Sequence, residues 1–388
     1  MDALPHTGDT TMSGNPPDAL AGWRDPELAR RLIDGIAQRA QVLAAQRGSA
    51  APIKIMEVCG THTMAIAKWG LRAVMPPNIS LISGPGCPVC VTANHDIDTA
   101  IALAKLPDVT VTTFGDMMKV PGSYESLAEV KSRGGDVRIV YSPLDALELA
   151  GREPGRQVIF LAVGFETTAP LIAATVRRAR AEGLENFSVF TAHKTVPRAL
   201  RVLADDPEVQ VAAFILPGHV STIIGLEPYE FLAREFGIPG VIAGFEPVDI
   251  LHALLMLLDQ LLSGEARIEI AYGRGVRVEG NPVALAAINE VFEPTDAVWR
   301  GLGLLPGTGL GLRDEYRDMC AVARFAPEVG PVREPKGCQC GEILRGVKTP
   351  NQCRLFGRGC SPERPIGPCM VSSEGSCAAW YRYYGAII

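Results

Sequence analysis

Along 27–46 the string ELARRLIDGIAQRAQVLAAQ repeats apolar side chains at helical spacing, with Asp25 and Pro26 ahead of it as cap and first-turn residue, and so predicts an amphipathic helix. The period then changes. Short apolar runs at 53–58, 79–83, 109–114 and 137–141, with helix-like segments between some of them, predict strands of a mostly parallel sheet. The rhythm restarts at 158–163, 187–191, 211–216 and 241–243, now separated by helical stretches at 169–181 and 196–205. Two related Rossmann-like α/β domains are expected, 23–150 and 151–266, divided at GREPGR (151–156), where few apolar residues could anchor the chain to either core. Beyond 267 the density of Pro and Gly rises, and 331–370 holds no sustained period. The stretch 267–388 is therefore expected as a third domain of loops and short helices wrapped around a cofactor. Gly301, Gly303, Gly307, Gly309 and Gly311 read as turns rather than a dinucleotide loop, because no clear strand precedes them.

Composition narrows the function. The chain has 388 residues, 47% of them apolar, with 37 Lys and Arg against 43 Asp and Glu. A net charge of -6 supplies no electrostatic footprint for nucleic acid or anionic lipid. The most apolar stretch, 250–262, is interrupted by Asp259 and Gln260 and falls short of the roughly 20 residues a membrane span needs. Residues 1–22 have no basic start followed by an apolar core, so they read as a disordered leader rather than an export signal. A cytoplasmic location follows. There, ten cysteines point to metal ligation or redox chemistry rather than to a disulfide framework.

The cysteines fall into two groups: Cys59, Cys87 and Cys90, then seven from Cys320 onward. In the tail, Cys338, Cys340, Cys353, Cys360, Cys369 and Cys377 are interleaved with Gly and Pro. Soft thiolates select iron-sulfur clusters, zinc or copper(I). Paired CxxC knuckles are the usual source of zinc ligands, whereas the one close pair here is CxC, which favours iron-sulfur. Cys320, in RDMCAVARF, suits an unligated core cysteine.

In MEVCGTHT, Cys59 follows a strand-like run and Gly60 permits a tight turn, which puts the thiol and His62 at the end of a strand, where open α/β sheets bind ligands. In SGPGCPVCVT, Cys87 and Cys90 occupy a second such loop, ahead of a candidate helix starting near Asn94 whose N-terminus would lower their thiol pKa. Strand-end loops of one sheet converge, so the three thiols can share a cleft. By itself the CxxC fits a redox pair, half a zinc site or two small core residues. His193 and His219 also follow strand-like runs, while His95 and Asp96 lie just inside the helix that Asn94 is placed to cap.

Together the strings MEVCGTHT, GPGCPVC, FGDMMKVPGS, GFETTAP, LPGHVSTIIG, GFEPVDIL and the tail from GCQCGEILRG to GPCMVSSEGSCAAWY closely resemble the HypD family of hydrogenase maturation factors, over nearly all of the chain after residue 50. The resemblance implies two α/β domains with a cleft between them and a third domain holding a [4Fe-4S] cluster. The family's ligand spacing selects Cys338, Cys353, Cys360 and Cys377 as cluster ligands. Cys340 and Cys369 then correspond to a redox-active disulfide beside the cluster, similar to the arrangement in ferredoxin-thioredoxin reductase. Cys59 corresponds to the thiol that holds iron jointly with a HypC-type small chaperone, and Cys87 and Cys90 to exchange or relay thiols.

The function so implied is assembly of the Fe(CN)2CO centre of nickel-iron hydrogenase, with cyanide delivered by a HypE-type partner. Asp116, Lys119, Glu166, His193, His219, Glu246 and Glu374 lie within the matching strings and are candidates to shape the cleft or bind partners. Two other functions fit the thiols without the resemblance: an iron-sulfur-dependent thiol-disulfide reductase, and a zinc-stabilised α/β binding protein.

Overall fold

A computed structural model describes residues 21–48 and 51–385, so nearly all of the leader expected over 1–22 lies outside the described residues. The first long helix, Pro26–Arg47, forms as its period requires: Asp25 accepts from the amides of Glu27 and Leu28, and Gly48 closes it in the left-handed conformation. It packs on helix Pro247–Ser263, the apolar stretch too short for a membrane, and Arg39 clamps Asp259 across the pair at 2.5 Å. Among the described residues no helix is long and apolar enough to cross a membrane.

Nine strands form two parallel sheets. Strands β1 (Ile53–Glu57), β2 (Ile79–Ser83), β3 (Val109–Thr113), β4 (Asp136–Ile139), β5 (Gln157–Ala162), β6 (Phe187–Thr191), β7 (Ala213–Pro217), β8 (Gly240–Ala243) and β9 (Ile268–Ile270) appear where apolar runs predict most of them. Most are buried along nearly their whole length, as strands covered on both faces must be. The fold class is α/β with mostly parallel sheets.

The division between the units differs from the expectation. One sheet has the order β2-β1-β7-β8-β9 and the other β4-β3-β5-β6. The chain thus begins the first sheet, leaves to build the second, and returns, with β7 pairing beside β1 through Ile55 opposite Ala213. GREPGR does not separate two units. Its Arg152 ends helix Pro143–Arg152 and its Arg156 leads straight into β5, donating to Thr110 Oγ1 of neighbouring β3 at 3.0 Å. Gly and Arg there serve a helix-to-strand turn inside one sheet, a composition that a linker shares. The boundary at 266/267 moves as well, because β9 extends the first sheet.

After β9 the chain makes an antiparallel hairpin of β10 (Phe292–Trp299) and β11 (Gly303–Leu312). The recurring glycines belong to this hairpin and its turn, with Gly301, Gly303 and Gly307 at positive φ. A strand does precede them, hidden in the sequence by Pro294 and the acids of FEPTDAVW. The tail beyond 313 is loops and short helices, the longest being Ser376–Tyr384; the rest of the stretch 267–388 departs from that expectation, with β9, helix Pro282–Val291 and the β10–β11 hairpin. The tail is not an independent module. Cys340, Ile343, Leu344, Phe356, Cys360, Cys369 and Cys377 share one core with Met56, Val58, Phe214 and Leu216 of the first sheet's strands and strand ends.

Candidate functional site

Strands β1 and β2 run side by side with Glu57 opposite Ser83, so their C-terminal loops emerge together. The loop after β1 carries Cys59 and the loop after β2 carries Cys87 and Cys90. They touch: Gly60 N donates to Gly86 O at 2.8 Å, and a Cβ on Gly86 would collide with the backbone of Cys59. Cys59 precedes helix Gly60–Lys68, and Cys87 caps the short helix Pro88–Val91 by accepting from Cys90 N at 3.3 Å.

Burial outweighs the helix termini in setting the acidity of Cys59 and Cys90. Cys59 is 7% exposed, and its thiol is pushed up to about 12 by burial and by the Glu374 carboxylate, against the pull of the His62 and Thr61 amides. Cys90 is raised as well, by burial and by donating to Cys369 and Cys87. The expectation that a helix N-terminus lowers the Cys90 pKa is thus reversed. The helix opening at Asn94 does not use that residue as its cap. Asn94 lies in the first turn, where its side chain binds Arg333 O and Arg300, and Ala93 stands at the cap position.

Around Cys59 the polar groups come from four segments. Glu57, fully buried beneath it, accepts from Cys59 N at 3.3 Å and from Thr63 Oγ1 at 2.6 Å, and burial lifts its carboxyl to about 7. Glu374 arrives from the tail, accepts from Thr61 Oγ1 at 2.7 Å and lies over Gly60, where a Cβ would meet it at 2.6 Å. His62 Nε2 bonds Gly244 O at 2.9 Å, and burial lowers its pKa to about 4, so the ring is neutral. Its ring leans on Phe245, with centroids 4.9 Å apart, and His219 stacks on the same phenyl ring at 4.0 Å.

Five tail thiols, Cys338, Cys340, Cys353, Cys360 and Cys377, line one small apolar cavity with Leu355, Phe356, Gly367 and Met370. Cys340 lies at its inner wall, within side-chain hydrogen bonding of Cys338, Cys369 and Cys377. Cys369 accepts from both Cys340 and Cys90, which lowers its pKa to about 6. Cys90 Sγ also lies 4.0 Å from Pro368 O. The two thiol groups are therefore one continuous series: Cys87, Cys90, Cys369, Cys340 and then the cavity. All ten cysteines carry free thiols in this structure.

The cavity fits an iron-sulfur cluster by its donor set and its walls. Cys338, Cys353, Cys360 and Cys377 supply four soft sulfurs. Ile366 N donates to Cys360 Sγ at 3.3 Å, the kind of amide contact that tunes cluster sulfurs. Gly367 leaves room, since a Cβ there would stand 2.6 Å from Sγ of both Cys338 and Cys340. Among the described residues no three His, Cys, Asp or Glu side chains converge on a single ion.

The family model described as "Hydrogenase formation hypA family" (HypD) matches residues 28–384. The chain belongs to the HypD family. It is 49% identical to the hydrogenase maturation factor HypD of Rhodobacter capsulatus, over 94% of this chain and 97% of that one. Identity is 46% to HypD of Escherichia coli (strain K12), over 93% and 96% of the two chains. HypD of Cupriavidus necator is likewise 46% identical, over 93% and 96%.

The remaining residues singled out in the sequence occupy varied positions. Glu246 forms an ion pair with Arg24 at 2.6 Å and opens helix Pro247–Ser263, a structural position. Asp116 and Lys119 lie on the 3-10 turn Gly115–Lys119. Asp96, beside the exposed His95, holds Lys194 at 2.9 Å. His193 is buried with neither ring nitrogen paired, and burial lowers its pKa to about 3. Glu166 lines a cavity with Thr195, Arg198 and Glu227; one carboxylate oxygen accepts from Val196 N at 2.9 Å and the other has no partner. Cys320 is half-buried and pairs by its backbone with Val189. Sequence reasoning passed over Glu57 and Phe245. An acid at the end of the strand-like run IKIMEV, two residues before Cys59, was the available signal for the first.

Proposed function

We propose that this protein is a redox-active scaffold on which the Fe(CN)2CO centre of nickel-iron hydrogenase is assembled. A role in hydrogenase maturation follows from membership of the HypD family. The finer reading rests chiefly on one observation: the sulfur series from Cys87 and Cys90 through Cys369 and Cys340 ends at a thiol-lined cavity, while its first two members share a loop contact with Cys59.

In this reading Cys338, Cys353, Cys360 and Cys377 hold a [4Fe-4S] cluster, which supplies single electrons when bound. Cys340 and Cys369 form the redox pair. Cys369 adjoins both Cys340 and Cys90, so it can exchange a disulfide bond between them without leaving its place. Its lowered pKa favours the thiolate, the nucleophilic form, near neutral pH. Cys59 grips the iron that is the cargo, jointly with a cysteine of a HypC-type chaperone, and a HypE-type partner delivers cyanide. Glu374 and His219 border that position, and neutral His62 ties the loop to β8. Cys59 must lose its proton on gripping iron, and the carboxylate of Glu374 lies beside it.

Replacing Cys59 by Ala should leave the fold and the cluster intact and abolish hydrogenase maturation; full maturation by that variant removes the proposed role. The bridging position of Cys369 also supports a second reading, an iron-sulfur-dependent thiol-disulfide reductase. Steady reduction of small protein disulfides without any hydrogenase partner would favour it. A closed zinc site needs four donors about one point, whereas these thiols surround a cavity. Metal analysis of anaerobically purified protein separates the two, since stoichiometric zinc without iron or sulfide would exclude the cluster.

A further inference from the structure

We propose that the outer face of the thiol-lined cavity is a docking surface for an acidic one-electron carrier protein. The inference rests on the cluster reading above. The loop from Cys353 to Arg364 is stitched closed by Cys360 N to Leu355 O (2.9 Å), Gly357 N to Cys360 O (3.1 Å) and Arg364 N to Ser361 O (3.1 Å). It turns Leu355 and Phe356 inward onto the cavity and leaves Arg354, Arg358 and Arg364 exposed. Phe356 meets Tyr381 at 6.2 Å between centroids, and the exposed Arg382 is the next residue of that helix. Exposed Lys336 joins them through Gly337, whose Cβ position lies 3.6 Å from Leu355.

None of these five cations forms an ion pair among the described residues. The other tail cations near them behave differently: Arg345 is held by Asp206 and Glu208, and Lys348 by Glu342. The acids in reach are few. Glu363 lies in the loop, bonded to Ser361, and Glu334 is paired with Arg300. A chain of net charge -6 thus gathers unpaired positive charge on the elements that carry three of the four expected cluster ligands.

The cavity is also polarised in access. Cys338 and Cys353 are half-buried, whereas Cys340 and Cys369 are sealed inside at 5% and 0% exposure. The more accessible arginine side is thus where electrons enter, and the buried thiol side is where they leave. Reducing one disulfide to two thiols consumes two electrons and two protons. Two carrier molecules are each oxidised by one electron in successive encounters, and the protons come from solvent. Repeated short encounters suit steering by charge better than a large apolar interface.

The test uses the full-length, cluster-loaded protein under anaerobic conditions, with a reduced acidic ferredoxin as probe. Association is followed by NMR and cluster reduction by stopped flow. The second-order rate should fall tenfold or more as salt rises from about 50 to about 500 mM, and comparably at low salt in the triple variant Arg354→Glu, Arg358→Glu, Arg364→Glu. Ferredoxin association should weaken in parallel. The cationic methyl viologen radical should reduce the variant at least as fast as wild type, which reports an intact cluster. A salt-independent rate, wild-type behaviour of the triple variant, or tighter binding of anionic vesicles than of ferredoxin overturns the proposal. Failure of the cluster reading is visible separately, as protein without iron and sulfide before any carrier is added.

Discussion

If the thiol-lined cavity holds the proposed cluster, replacing Gly367 by Ala should prevent its binding while leaving the chain folded. A Cβ at 367 would stand 2.6 Å from two sulfurs at once, Cys338 Sγ and Cys340 Sγ. Ordinary van der Waals separation is about 3.5–4.0 Å, so each sulfur must retreat by roughly 1 Å. Metal-ligand distances tolerate about 0.2 Å, which makes the displacement at Cys338 several times too large. Overpacking of this size costs about 1–3 kcal/mol, a loss that lowers stability without abolishing the fold. Gly359→Ala in the same loop is the control, because its Cβ would lie 3.4 Å from Leu355, an ordinary contact. Iron and acid-labile sulfide per chain, with thermal melts of the metal-free proteins, give the readout. Gly367→Ala should lose most of its iron and Gly359→Ala should keep it. A full iron complement with an unchanged visible spectrum in Gly367→Ala would refute the assignment of this cavity.

Three further outcomes follow from buried groups. Alkylation of Cys59 by iodoacetamide, read by peptide mass spectrometry, should rise about tenfold per pH unit from 7 to 10 with no plateau, because the thiol is held near 12. A plateau below pH 9 would contradict this. Glu374→Gln should speed the same reaction at pH 8 by removing the nearby negative charge that disfavours the thiolate; an unchanged or slower rate would show that Glu374 does not act on Cys59. Burial raises the Glu166 carboxyl to about 7, so its folded state binds more protons than the unfolded state above the unfolded value, and stability is lost as pH rises through 7. Glu166→Gln should therefore gain stability relative to wild type at pH 8 and not at pH 5, by up to roughly 3 kcal/mol. Denaturant melts at the two pH values check it, and equal gains at both would refute it.

Local features were readable in the sequence where neighbours along the chain decide them. The helix Pro26–Arg47 has its cap, its period and its terminal glycine all within one stretch. Cys59, Cys87 and Cys90 could be placed on strand-end loops because Gly and Pro follow apolar runs. What could not be read was decided by partners far along the chain. Parallel strands pair without regard to sequence order, so nothing in Ala213–Pro217 announces Ile53–Glu57 as its neighbour. The acidity of Cys59 depends on burial and on Glu374 from the tail, both invisible locally, which is why the helix N-terminus alone predicted the wrong direction for Cys90 beside it. The grouping of the cysteines along the chain was legible. Their junction at Cys90 and Cys369 was not, since it joins residues 279 positions apart whose meeting is a product of the tail docking on the first sheet.

The central claim is that one group of sulfurs holds a resident cluster while Cys59 holds incoming iron. Infrared spectroscopy of anaerobic protein purified with its small chaperone tests it most directly, comparing wild type with Cys59→Ala at equal cluster content. Cyanide and carbonyl stretching bands should appear in wild type and vanish in the variant. Bands of undiminished intensity in Cys59→Ala would contradict the account.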